Sequence, residues 1–406
     1  MKRLRHILAA TFLLSGLWFI FTQHGSTFLS PEPANLHGGP PTKIQQTHDL
    51  SDQTEKTALA LQTTSASDKL VQAPSTPVPQ STDPPSDSLL GFDFQADLNL
   101  NLPADTFTSL SKHSPHNYDP NGAKSYAYAT FFASRNPSIE DPYFLAIHSL
   151  VYRILWSPRS KTSKYPFVVF VGDFVSPEQR RLLAGAGAVV RELAPLPWQP
   201  TDQSVLERWK DLFAKLHMWN ETDFSRILFL DADAFPIAPI DDMFELKKVR
   251  GCIESKMQLD DFLPGGEPVC EQYIFAGVPM DPYSIFDANI NVGSMVFTPN
   301  TRQHQRLVQN YVKFDKYDVK MAEQAFLNWQ FGVNSAYPPG MLEREYGAFF
   351  PKEGGEKGLK VVHEKIWAVQ RGVWKEEWEN TWKEMTHFYA SEEFLAARRA
   401  DGESID

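Results

Sequence analysis

Between Tyr126 and Asp231, four short apolar runs alternate with segments of helical periodicity, and this alternation leaves few architectures open. The run "SYAYATFFAS" reads as a first buried strand. In "DPYFLAIHSLVYRIL", Phe144, Ile147, Leu150, Val151 and Ile154 recur at helical spacing, which predicts an amphipathic helix. "YPFVVFVGDF" is a second strand. "SPEQRRLLAGAG" opens a helix with Ser176 as N-cap, Pro177 at the first helical position and Gln179 at the third. "AVVRELAPL" is a third strand, and Val205, Trp209, Leu212, Phe213 and Leu216 mark a further helix. "RILFL" is the fourth strand, ending at Asp231. Apolar strands alternating with helices specify an α/β fold, a Rossmann-like, mostly parallel sheet with helices on both faces. No G-x-G-x-x-G follows the first strand and no P-loop occurs, so dinucleotide oxidoreductases and P-loop nucleotide hydrolases lose their main support.

Ahead of this region the chain changes character. Met1-Lys-Arg-Leu-Arg-His is basic, and Ile7 to Phe21 is apolar apart from Thr11, Ser15 and Gly16. No small-x-small cleavage site follows, so residues 1–22 read as a cytosolic tail and signal anchor, with a cleaved signal as the alternative. The Lys/Arg cluster stays cytosolic, which gives a single-pass type II orientation with the remainder luminal. Residues 23–115 are dense in Ser, Thr, Pro and Gln and lack the periodicity needed to bury a core, as in a flexible stem. Residues 116–406 are left as one catalytic-sized domain. The formal net charge of −11 disfavours nucleic-acid binding through phosphates. Cys252 and Cys270 could close one loop as a disulfide in an oxidising lumen or stay as two thiols. Asn220-Glu221-Thr222 is an acceptable N-glycosylation sequon in a turn, whereas Asn136-Pro-Ser is excluded by its proline.

The chemistry concentrates in "RILFLDADAFPIAPIDDMFEL". In an extended chain, residues i and i+2 point to the same side, so Asp231 and Asp233 can face one ligand. They end a parallel strand, where ligands bind in open α/β sheets. Ala232 between them leaves room for a nucleotide, and Pro236 and Pro239 break the strand behind them. Two hard oxygen ligands suit Mg²⁺ or Mn²⁺, which can clamp a diphosphate and stabilise a leaving group. Asp241-Asp242 reads as a helix cap.

The stretch "AKLHMWNETDFSRILFLDADAFPIAPIDDMFE" resembles the glycogenin-like proteins of glycosyltransferase family 8, in motif order and in spacing. "YATFFAS", "INVGSMVFTPN" and "VVHEKIW" match further segments of that family, so the resemblance covers roughly residues 126–370. It implies a GT-A fold, a UDP-sugar donor, Mn²⁺ (with Mg²⁺ as a substitute) and transfer of a hexosyl group with retention of configuration. It also places the uridine near Phe131, Ala133 and Tyr143, and the donor sugar near Asn291 and Gly293. His363 becomes a third metal ligand, Lys365 a diphosphate contact and Lys215 a lysine near the nucleotide. The family's Asp-Gln pair is here Glu323-Gln324, assigned with the acidic pair to the catalytic centre. Anchor and stem resemble Golgi members, including fungal N-acetylglucosaminyltransferases. The function implied is transfer of N-acetylglucosamine, glucose or a similar sugar to a glycan, glycoprotein or glycolipid, on the luminal side of the Golgi membrane. The alternative is a catalytically inactive Golgi relative acting as sugar-binding scaffold. Trp374, Trp378 and Trp382 recur every four residues near the C-terminus and read as a packing face.

Overall fold

The computed structural model describes residues 101–202, 205, 209–281, 287–369 and 371–403. The proposed anchor, and the stem up to residue 100, lie outside the described residues. Among the described residues no helix is long and apolar enough to cross a membrane. Folded structure begins earlier than residue 116. Helix α1 (Ala104–Leu110) buries Phe107 and Leu110. Phe107 stacks on His148 and meets Tyr389 and Phe394 edge-on. Two apolar residues one turn apart are too few to register as periodicity in a Ser/Thr-rich context, so this helix is visible only through what it packs against.

Strands β1 (Tyr126–Phe132), β2 (Phe167–Val171), β3 (Val189–Glu192) and β4 (Arg226–Leu230) pair in parallel in the order β3-β2-β1-β4. These are the four apolar runs. Beyond β4 the sheet becomes mixed. β7 (Ile290–Phe297) lies antiparallel to β4, β6 (Phe275–Pro279) antiparallel to β7, and β8 (Gly340–Met341) parallel to β6. Alternate residues feed opposite faces. Tyr128, Phe132, Val169 and Leu228 join one core, and Ala127, Phe131, Val168 and Phe229 the other.

The first core is covered by α1, α2 (Pro142–Val151), α3 (Pro177–Gly185), α6 (Val373–Tyr389) and α7 (Glu392–Ala400). Ser176 and Gln179 form the expected capping box on α3. Trp374, Trp378 and Trp382 are buried along α6, as a packing face requires. The second core is covered by α4 (Thr301–Asn310), α5 (Ala322–Gln330) and the segment Leu212–Asn220. That segment is a helix of the 3₁₀ type. At three residues per turn, Phe213, Leu216 and Trp219 fall in one line, and all three are buried. Cys252 and Cys270 are bonded, with Cα atoms 5.3 Å apart.

Candidate active site

The site grows from the end of β4. Pairing continues one residue past the strand, because the Asp231 amide donates to the Gly293 carbonyl of β7 at 2.8 Å. After Asp233 the chain enters the short strand β5 (Ala234–Pro236). This strand joins a second, three-stranded sheet, β5-β10-β9, with β9 (Ala348–Phe349) and β10 (Val361–His363). β10 runs antiparallel to β5, with His363 opposite Ala234, and the Glu364 amide donates to the Asp233 carbonyl at 3.0 Å. This register brings a histidine from far along the chain beside the acidic pair. His363 Nε2 lies 3.3 Å from Asp233 Oδ1. One ligand atom each of Asp231, Asp233 and His363 lie within 4.8 Å of one another.

Two lysines compensate this charge. Lys215, from the 3₁₀ helix, is buried and donates to Asp231 Oδ1 and Glu323 Oε1, both at 2.9 Å. Lys365 donates to Asp233 Oδ2 at 2.7 Å. Burial works against the charge on each ammonium, but the facing carboxylates outweigh it and hold both lysines above their usual range. Burial also disfavours an ionised Asp233, yet Lys365 and His363 more than offset it and keep this carboxyl far below the ordinary range. Burial likewise lowers His363, while hydrogen bonding to Asp233 and the field of both aspartates carry its value above that of a free imidazole. Three carboxylates thus face two ammonium groups and an imidazole, so the cluster carries an excess negative charge when His363 is neutral, the form in which it can ligate a metal.

The residues fit a divalent metal. Two carboxylate oxygens and an imidazole nitrogen make a hard-to-borderline donor set suited to Mn²⁺ or Mg²⁺. The space among them depends on Gly293. A Cβ at this position would lie 2.2 Å from His363 Cε1, 2.7 Å from Asp231 Oδ2 and 2.8 Å from His363 Nε2. A methyl group would therefore fill the cradle that the ligand atoms surround.

The structure brings together Asp231, Asp233, His363, Lys215, Lys365, Glu323 and Gly293. Glu323 is buried in the first turn of α5, directly after Ala322, whose φ of +45° is rare for a residue with a side chain. The longer Glu, in place of the family's Asp, reaches Lys215 from there. Asn291 is buried and its side chain accepts from the Gly293 amide at 2.9 Å, shaping the β7 backbone at the cradle. Gln324 accepts from the Val292 amide at 3.2 Å, which places it on β7 and not on the ligand atoms. Ala232 is half-buried and packs on the first core. Tyr143 meets Trp367 edge-on at 5.7 Å. Ala133 packs on the second core. Phe131 lines a cleft of about 170 Å³ at the C-terminal ends of β1, β2 and β3, with Asp173, Phe174, Trp198 and Asp211 among its walls. Asp241 and Asp242 do not cap the turn that they begin. Asp241 accepts from Tyr128 and Thr162, and Asp242 from Tyr346 and Lys360.

Sequence reasoning gave no role to Arg135, which joins two walls of the cleft, Asp211 and Phe174. It bonds both oxygens of Asp211 (3.0 and 2.7 Å) and lies 4.0 Å from the Phe174 ring centroid. Its position just past the C-terminal end of the first strand is the one signal that could have found it.

A mixed α/β sheet, with an acidic pair at a strand tip joined by a histidine from a crossing strand, defines a glycosyltransferase of the GT-A type. Galactinol synthase 2 of Solanum lycopersicum is 31% identical over 254 residues, covering 59% of this chain and 70% of that protein. The chain belongs to glycosyltransferase family 8, the family of the galactinol synthases. Galactinol synthase 7 of Arabidopsis thaliana is 28% identical over 225 residues, 52% of this chain and 62% of that protein. An uncharacterised protein of Schizosaccharomyces pombe is 25% identical over 348 residues, 74% of this chain and 90% of that protein. Among solved structures, the glycosyltransferase GlyE of Streptococcus pneumoniae covers 67% of this chain and 64% of its own at 16% identity and a TM-score of 0.40. No protein-family profile matches the chain.

Proposed function

We propose that this protein is a metal-dependent, retaining hexosyltransferase that moves a sugar from a UDP-sugar to a glycan, glycoprotein or glycolipid acceptor on the luminal side of the Golgi membrane. The observation that carries the reading is the convergence of Asp231, Asp233 and His363 around the space kept open by Gly293. These three residues would hold Mn²⁺ (or Mg²⁺), which supplies electrostatic stabilisation of the diphosphate as the sugar departs.

The chain's own residues then divide the work. Lys365 exchanges its bond to Asp233 for the diphosphate and adds positive charge as UDP leaves. Lys215 fixes Asp231 and Glu323 relative to each other from beneath. Asn291 and Gly293 present the β7 backbone to the donor sugar, Ala232 leaves room beside the acidic pair, and Phe131, Ala133 and Tyr143 border the uridine. Glu323 and Gln324 position the donor sugar from α5. The bonded Cys252–Cys270 pair fits an oxidising compartment and supports a luminal location. Anchorage rests on the apolar run at residues 7–21.

The test uses the full chain purified in detergent, incubated with Mn²⁺ and a panel of UDP-sugars. Metal-dependent UDP release from one donor, with sugar found on an added acceptor, is the expected result. No UDP release from any donor, together with no UDP binding, would leave the inactive scaffold reading in its place.

A further inference from the structure

The three-stranded sheet that delivers His363 has a second edge. β9 lies along β10 with Phe349 in register with His363, on the side away from β5 and the acidic pair. The Phe349 and His363 ring centroids are 5.9 Å apart, and those of Phe349 and Phe350 are 4.2 Å apart. A continuous aromatic surface thus leads from the metal-ligating imidazole to solvent. Phe350 is 52% exposed, so about half of its surface faces solvent.

This surface is held in place at a conformational cost. Phe350 has a φ of +48°, a region that bulky side chains rarely occupy and that clusters at functional sites. Arg344 clamps it, donating from Nη1 to the Phe349 carbonyl at 3.0 Å and from Nη2 to the Phe350 carbonyl at 3.4 Å. Arg344 is fixed in turn by Glu356, through Nε at 3.1 Å and Nη2 at 2.9 Å. The same carboxylate accepts from the Lys352 amide at 2.8 Å, which closes the loop on itself. A buried ring held in this way would be explained by packing. A half-exposed one, packed on the ring that itself meets His363, points to a ligand.

We infer that Phe349 and Phe350 form the stacking shelf of the acceptor subsite, taking the ring of an acceptor sugar by its C–H face. The reading rests on the proposed transferase activity. Aromatic faces carry negative potential, whereas one face of a pyranose presents polarised C–H bonds, so the two stack in water without desolvating the sugar hydroxyls. The shelf lies across His363 from the acidic pair. A molecule on it therefore approaches from outside the diphosphate position, as the second substrate must.

The test uses the full chain with Mn²⁺ and the UDP-sugar that supports UDP release. The acceptor probes are the methyl glycosides of glucose, galactose, mannose and N-acetylglucosamine. Phe350→Asn removes the ring while tolerating the positive φ, and Phe350→Trp retains a stacking face. For Phe350→Asn we expect the acceptor KM to rise roughly tenfold or more, in line with loss of an aromatic anchor. Donor KM and acceptor-free UDP release should stay within about twofold of wild type, thermal stability should be equal or higher, and Phe350→Trp should restore the acceptor KM. An unchanged acceptor KM for every glycoside used, or a rise in donor KM instead, overturns the shelf while leaving the transferase intact. A fall in stability with Phe350→Asn that accounts for the lost activity overturns it in favour of a packing role. No UDP release by the wild type from any donor is the separate failure of the underlying activity, and the shelf falls with it.

Discussion

Two buried cations in this molecule face opposite electrostatic surroundings. Arg153, in the π-helical turn after α2, is 1% exposed. It donates to Glu377 at 2.7 Å, to Thr381 at 2.9 Å and to the Pro236 carbonyl at 3.1 Å. Glu377 also takes two bonds from Arg159, so cations here match or exceed the carboxylates close to them. Lys215 is equally enclosed, but it is shared by Asp231 and Glu323, with Asp233 beyond. The difference separates a structural network from a site. Around Arg153 the charge is met by Glu377 and each guanidinium nitrogen has a protein acceptor, through a planar fork that an ammonium could not imitate. Around Lys215 the carboxylates are shared with a titratable imidazole and border a space that a divalent cation would fit.

The comparison can be broken most directly at Asp233. Asp233→Ala should lower metal-dependent UDP release by roughly 10³-fold or more, through loss of a metal ligand. Thermal unfolding should shift little, because Lys365, a quarter exposed, can turn to water. A large loss of stability would mean that the site is a structural network after all. Arg153→Met tests the other side. Breaking a buried pair from one partner costs about 3–5 kcal/mol, so unfolding should occur at lower denaturant, while turnover per folded molecule stays within about twofold. Loss of turnover without loss of stability would reverse the assignment.

A pH measurement sharpens the contrast. Burial raises the Glu377 carboxyl, but Arg153 and Arg159 outweigh it and bring its value down to about 2. A carboxylate depressed on folding adds stability in full above its unfolded value, near 4.5, and loses it as pH falls towards the folded value. Stability should therefore drop between about pH 4.5 and 2, and Glu377→Gln should flatten that part of the denaturation profile. A smaller effect is expected at Gly293. Gly293→Ala puts a methyl 2.2 Å from His363 Cε1 and must displace that ring, so Mn²⁺ binding should weaken roughly 10²-fold or more, equivalent to ~2.7 kcal/mol, with some loss of stability. Titration of metal-dependent UDP release measures it. The smallest effect belongs to Asn220, which is exposed at the end of its helix. Asn220→Gln should abolish an endoglycosidase-sensitive gel shift in secretory expression and leave turnover within about twofold.

The sequence made part of this plain. Four of the seven strands in the main sheet, the Ser176 cap and the Asp231/Asp233 pair follow from local periodicity and i, i+2 geometry. His363 and Lys365 have no such signal. They reach the site through the pairing of β10 with β5, which no local pattern encodes, and only the family resemblance pointed to them. Glu323 looks like an ordinary first-turn acid until burial and Lys215 are seen. The helix at 104–110 was read as stem because its apolar content is small until its partners, Tyr389 and Phe394, are known. Phe350 carries no sequence signal because two adjacent aromatics ahead of a Gly- and Lys-rich loop fit neither a helical nor a strand period.

That first helix has a consequence for biosynthesis. Phe107 rests on Tyr389 and Phe394, and the Ser114 amide donates to the Gly402 carbonyl at 2.8 Å. A chain emerging from the ribosome exposes α1 first and must wait for α6 and α7 before covering it. His363 likewise arrives long after the acidic pair. A nascent chain would hold an unfinished core and an incomplete ligand set until translation had nearly passed through the whole domain. The convergence of Asp231, Asp233 and His363 is therefore complete only after His363 has been made and β10 has paired with β5.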